Sequence, residues 1–134
     1  MNLEETLSSY INQINDDLQI DEMNIKDVQM RLPSKRHFWV ARLIKHKIDL
    51  DKLKTTRANR RKELIKTLND NSPVKLAAHN LERSVDSLDE IQKINSNIRI
   101  TELIIELLEK TEKNFSSCTY DISNIVKIIQ LEQQ

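Results

Sequence analysis

Along most of this chain, apolar residues recur three and four positions apart, the spacing of a helix that buries one face. Leu3, Leu7, Tyr10, Ile11 and Ile14 make a first short stripe, which Asn15-Asp16-Asp17 interrupts. Met23, Ile25, Val28 and Met30 follow as a weaker pattern. Leu32-Pro33-Ser34 reads as a boundary, because the residue before a proline is pushed out of the helical region while proline itself suits a first helical turn. From there one long helix is expected over 34–69. Trp39, Leu43, His46, Leu50 and Leu53 alternate four and three apart, the heptad spacing of a packed seam. Continued, that count lands on Arg57, Arg60 and Leu64, so two arginines stand where two core residues belong.

Asn69-Asp70-Asn71-Ser72-Pro73 is the clearest break, with Ser72 expected to cap the next helix and Pro73 to open it. Val74, Ala77, Ala78, Leu81, Val85, Leu88 and Ile91 carry that helix. Ile94, Ile98, Leu103, Ile104, Leu107 and Leu108 continue it, with a hitch expected at Asn95-Ser96-Asn97 and a turn at Ser116 to Thr119. A short last helix holds Ile122, Ile125, Val126, Ile128, Ile129 and Leu131, apolar over much of its circumference. It either packs into the core or meets other subunits. The length of apolar stripe in so small a chain favours oligomerisation. The expected fold class is all-α: long helices in a small helical domain with a C-terminal oligomerisation helix. A single domain over 1–134 is expected, with an acidic segment at 1–32, a long basic helix at 34–69 and apolar helices over 73–134.

Composition narrows the function. The 134 residues include no glycine, and phosphate-cradling loops need glycine for the close approach of backbone amides, which argues against nucleotide folds of the P-loop or dinucleotide type. The single cysteine, Cys118, forms no internal disulfide and suits a reducing compartment. No stretch approaches the roughly 20 apolar residues of a membrane span, and MNLEETLSSY lacks the pattern of a signal peptide. An intracellular protein with no membrane contact is the expectation. Zero net charge hides a segregation: residues 31–66 hold 13 Lys and Arg against three acids, a net +10, whereas residues 1–30 carry −6 and residues 67–134 carry −4. A basic segment between acidic ones points to a polyanion partner, or to pairing between opposite parts of the assembly.

Catalysis finds little support. His37, His46 and His79 are scattered, none has a His or carboxylate partner at the helical spacing of a zinc motif, and Cys118 has no activating neighbour in sequence. No catalytic residue, metal site or cofactor is expected. The basic stretch is more informative. On a helix Lys54, Arg57 and Arg61 share one face, Arg60 and Lys62 widen it, and Lys45 and Lys47 extend it upstream. Like charges so placed need anions or nearby carboxylates to offset their repulsion. Either phosphates of a nucleic acid or a solvated, salt-bridged surface meets that need. Phe38, Trp39 and Tyr10 are the only aromatics near this region, and Trp39 lies in the apolar seam, so it is expected in the core and base stacking is thinly provided for.

The order of features is similar to a known family. NDDLQIDEMNI at 15–25, LPSKRHFWVARLIKHKIDLDKL at 32–53, the basic helix, DEIQKINSNI at 89–98 and TYDISNIVKIIQLEQ at 119–133 together resemble the UvsY family of recombination mediators of T-even-like bacteriophages. The resemblance implies a protein that binds single-stranded DNA and closes into rings of about six or seven subunits through C-terminal helices. It also implies help in loading a RecA-like recombinase onto strands coated with single-strand-binding protein, in the cytoplasm of an infected bacterial host. The helix face of Lys45, Lys47, Lys54, Arg57, Arg60, Arg61 and Lys62 would then hold DNA, and Ile122–Leu131 would be the assembly element. The family's Lys-Ala-Arg-Leu cluster is matched by Arg61-Lys62-Glu63-Leu64 only with Glu63 in place of the arginine. The alternative is a non-catalytic helical adaptor or structural oligomer without a nucleic acid partner, its basic helix paired with acidic segments of neighbouring subunits.

Overall fold

A computed structural model describes residues 2–134. Four helices follow one another: α1 (Leu3–Asp17), α2 (Ile25–Asn71), α3 (Ala78–Asp86) and α4 (Asp89–Glu132), with no strand among the described residues. The all-α expectation holds.

The start of α1 is written in its sequence. Asn2 accepts from the Glu5 backbone at 2.8 Å and Glu5 reaches back to the Asn2 N–H, a capping box that satisfies two otherwise unpartnered donors. Its end carries Asp16 and Asp17, poorly placed against the helix dipole. Asp17 is compensated by the Trp39 indole N–H at 2.9 Å and by Lys35 at 3.2 Å. The link to α2 is organised by Asp21, whose carboxylate accepts from the backbone of Met23 and Asn24, while the Asn24 side chain accepts from the Asp21 N–H.

Four expected boundaries are corrected. The helix expected from residue 34 begins at Ile25, and Pro33 lies within it. A proline there removes one i→i−4 hydrogen bond, leaving the Gln29 carbonyl without its helical donor, but the turns on either side hold the helix through it. Ser72 does not cap a helix opened by Pro73: its hydroxyl donates to the Val74 carbonyl at 2.6 Å, and α3 starts at Ala78 after an N-cap alanine that makes no side-chain bond. Finally, the hitch at 95–97 and the turn at 116–119 are both continuous α4. The short polar run there turns out to face inward in part, since Cys118 is buried at 3% exposure. The break that does occur falls at Ser87-Leu88, between α3 and α4.

The chain packs as two compact units, one of residues 1–46 with 103–134, the other of residues 47–102. In the first, Ile14, Trp39, Ile104, Leu108, Phe115 and Ile122 are buried together with His46. Trp39 meets Tyr10 and Phe38 edge-on, with ring centroids 5.3 and 4.9 Å apart. The Tyr10 hydroxyl and His46 Nε2 are hydrogen-bonded at 2.9 Å, and Arg36 forks onto Glu112. In the second unit Leu81, Val85, Ile91 and Ile98 are buried. Two core threonines, Thr101 and Thr111, satisfy their hydroxyls on the carbonyls four residues before them, so their burial leaves no orphaned donor.

Candidate nucleic-acid interface

The gap in the apolar seam of α2 is filled by ion pairs. Arg57, Arg60 and Arg61 are half-buried, unlike the exposed Lys54 and Lys62 on the same stretch. The heptad count brings Arg57 and Arg60 to the packed face, where Leu53 and Leu64 on either side are also half-buried. Arg57 Nη1 donates to the Asn95 side-chain carbonyl at 2.9 Å. Arg60 forks onto Glu90, with Nε on Oε1 and Nη2 on Oε2 at 3.2 Å, and its Nη1 also donates to Glu63 at 2.9 Å. Arg61 forks onto Asp86 through Nε at 2.7 Å and Nη2 at 3.1 Å. These are two-point guanidinium–carboxylate bonds, the strongest geometry available to such a pair. They push the Arg60 guanidinium pKa well above its ordinary value, through Glu90 first and then Glu63. Asp86 does the same for Arg61 against an opposing loss of hydration.

The seven cations expected to form one basic face therefore fall into two sets. Arg57, Arg60 and Arg61 bond to acids and an amide of their own unit. Lys54 and Lys62, with Lys47, are exposed in the second unit, and Lys45 is exposed in the first. Spacing on α2 identified the charges. It carried no information about Asp86, Glu90 and Asn95, which lie 25 to 38 residues further on. The only signal was the acidic excess of residues 67–134.

One cation escaped notice. Arg42 stacks over Phe38, its guanidinium carbon 3.4 Å from the ring centroid. The four-residue spacing of the two on α2 is the detectable sign of such a pair.

The presumed assembly residues also divide. Ile122 is buried in the core at 2% exposure, and Ile125, Val126 and Ile129 are half-buried. Ile128 at 55% and Leu131 at 67% are exposed, as is Tyr120 earlier on α4. The histidines do not converge: His37 and His79 are exposed, while His46 is buried beside Tyr10. Among the described residues no cluster of three or more His, Cys, Asp or Glu has the geometry to hold a metal ion, and no helix is long and apolar enough to cross a membrane.

Among solved structures, a crystal structure of the bacteriophage T4 recombination mediator protein UvsY superposes with a TM-score of 0.80, covering 98% of this chain and 99% of that one. The fold is that of UvsY. A second crystal structure of the T4 protein gives 0.75 over 100% of this chain and 99% of that one. Identity is 13% and 12%, so the likeness lies in backbone architecture and helix order. No protein-family model matches the sequence, and no curated protein does. The resemblance read from weak positions along the chain is thus met by UvsY-like architecture at nearly full length. Amphipathic helices explain how that happens at low identity: a buried stripe constrains apolar character and period far more than it constrains residue type.

Proposed function

We propose that this protein is a recombination mediator that binds single-stranded DNA and assists loading of a RecA-like recombinase onto strands coated with single-strand-binding protein. The observation that carries this reading is the full-length match of its fold to a recombination mediator. The cationic stretch of α2 supports it. Lys45, Lys47, Lys54 and Lys62 supply exposed ammonium groups for backbone phosphates, and Arg57, Arg60 and Arg61 add guanidinium groups at partly exposed positions. Binding through phosphates is tolerant of base sequence and weakens as salt rises. In a homo-oligomer of about six or seven copies, repetition of a weak site along one strand raises affinity steeply. Ile128 and Leu131 are the exposed apolar residues that such an assembly would cover. The proposed setting is the cytoplasm of an infected bacterium.

The internal pairing of Arg60 and Arg61 favours a second reading, a helical adaptor whose basic helix serves only its own packing. The two are separated by a fluorescent single-stranded oligonucleotide titrated over a salt series, with molecular mass measured in the same buffers. A mediator binds tightly at low salt, loses affinity steeply with salt and keeps its mass. Absence of binding by an intact oligomer at low salt removes the DNA reading. The decisive variant is Lys54→Glu with Lys62→Glu, since these side chains are exposed. A mediator loses DNA and stays assembled, whereas an adaptor dependent on this surface loses assembly.

A further inference from the structure

We propose that Asp86 and Glu90 are built-in competitors of phosphate: they occupy the guanidinium forks of Arg61 and Arg60, and a bound strand takes those forks by displacing them. The proposal rests on the DNA-binding reading and adds a regulation of the same surface.

Four observations carry it. Each carboxylate takes two N–H groups of one guanidinium, the planar two-point arrangement that arginine also uses for phosphate oxygens. The two arginines are consecutive on α2, and the two acids flank one short break, at the end of α3 and in the first turn of α4. They act as one acidic clip on one basic pair. The pairs are also accessible, with side-chain exposures of 40% and 47% for Arg60 and Glu90, and 33% and 48% for Arg61 and Asp86. At such exposure water screens the pairs and a strand can reach them, so a phosphate offering the same two-point geometry competes with the carboxylate directly. Finally, the segment bearing Asp86 is lightly anchored: α3 has nine residues and no side-chain cap at its start, so most of its stability comes from packing of Leu81 and Val85.

The helix ends make the two acids unequal. Glu90 sits in the first turn of α4, where the helix dipole favours a negative charge even without Arg60. Asp86 is the last residue of α3, where the dipole disfavours it once Arg61 is taken away. Displacing Asp86 therefore costs a strand more than displacing Glu90. Neutralising Asp86 strengthens binding more.

The exchange also leaves a mark on salt dependence. A phosphate that binds a free arginine releases its condensed counterions, whereas one that displaces a carboxylate leaves an anion that gathers cations again. Freeing the two forks, with Arg60 keeping only its single bond to Glu63, steepens the slope of log affinity against log salt by about 0.7 for each phosphate contact on single strands.

The test compares the full chain with Asp86→Asn/Glu90→Gln, and with a control of equal charge change on exposed acids of the same unit, Asp70→Asn/Glu102→Gln. Each is titrated with a fluorescein-labelled oligo-dT strand across a salt series, and folding is checked by circular dichroism. The expected result is binding about three- to thirtyfold tighter in the double variant at one salt concentration, a slope steeper by about 1.4, a larger share from Asp86→Asn alone, and a much smaller gain in the control. DNA binding by the double variant but not by the wild type overturns the proposal, because no strand then displaces the two acids in the native chain. A folded double variant that binds no more tightly than the wild type overturns it and leaves the DNA reading standing, as does an equal gain in the control. If no protein binds the strand, both fall. Should the double variant fail to fold, Glu90→Gln decides alone, on whether it tightens binding beyond a single Glu102→Gln.

Discussion

Trp39 shows how much one side chain does in this molecule. It is 1% exposed, donates its indole N–H to Asp17 of α1, and packs edge-on against Tyr10 of α1 and Phe38 of α2. Removing it opens a large cavity and leaves Asp17 short of a donor. Trp39→Ala is expected to cost about 3–5 kcal/mol, read as a shift in the urea unfolding midpoint. Cys118 makes a prediction of another kind. Burial, and then the nearby Asp121 carboxylate, raise its thiol pKa above the ordinary value. The folded state thus favours the neutral thiol. That contribution is complete below the unfolded pKa, and is lost as pH rises through the higher folded one. At pH 7 to 8 iodoacetamide should modify Cys118 at least about tenfold more slowly in native protein than in urea, by mass spectrometry over time. Equal rates would show the side chain to be exposed.

Among the helices, α2 is the informative one. Pro33 lies eight residues after its start, and the helix runs on to Asn71. The proline deprives the Gln29 carbonyl of its partner, so Pro33→Ala should stabilise the protein, by about 1–3 kcal/mol if the surrounding turns are otherwise relaxed. Thermal unfolding checks this, and an unchanged or lowered midpoint would mean that the proline is needed for packing. The same helix changes the character of its packed face along its length, from Trp39, Leu43 and His46 to Arg57, Arg60 and Arg61. The change is made tolerable by α3 and α4, which bring Asp86, Glu90 and Asn95 to the arginines. On α4, buried threonine hydroxyls bonded back to their own helix let polar residues occupy core positions without a break.

For the molecule as a whole, α4 offers a direct separation of fold from assembly. Ile122 is part of the core of the first unit, whereas Ile128 and Leu131 are exposed. Ile122→Asp buries an unpaired charge and should unfold that unit, with loss of its helical signal well below the wild-type melting temperature. Ile128→Asp/Leu131→Asp should leave the helical signal nearly unchanged and lower the mass measured by light scattering, if the proposed oligomer forms there. An unaltered mass would place the assembly surface elsewhere.

Much of this organisation is carried by local pattern. The stripe from Leu3 to Ile14, the seam beginning at Trp39 and the apolar run of the last helix specify helices, because a period of 3.6 residues encodes them, and Ile14, Trp39 and Ile122 among these positions are buried while Ile11, Ile128 and Leu131 are exposed. The family likeness, too, was legible in the order of those segments, and its fold is the one found. Helix ends were less so. Pro33 does not mark a boundary because the helical turns on either side of it hold α2 together, and Ser116 to Thr119 is not a turn because a polar run need not face water. The partners of the arginines were beyond the reach of any local pattern. Arg57, Arg60 and Arg61 look alike along the chain to Lys54 and Lys62, but a helix face is only buried relative to something, and what faces α2 is set by how α3 and α4 return to it. The sequence alone thus determined that these charges exist on one helix. Only the tertiary structure decided which are held by carboxylates and which stand in solvent, since pairing depends on distances between segments far apart in the chain.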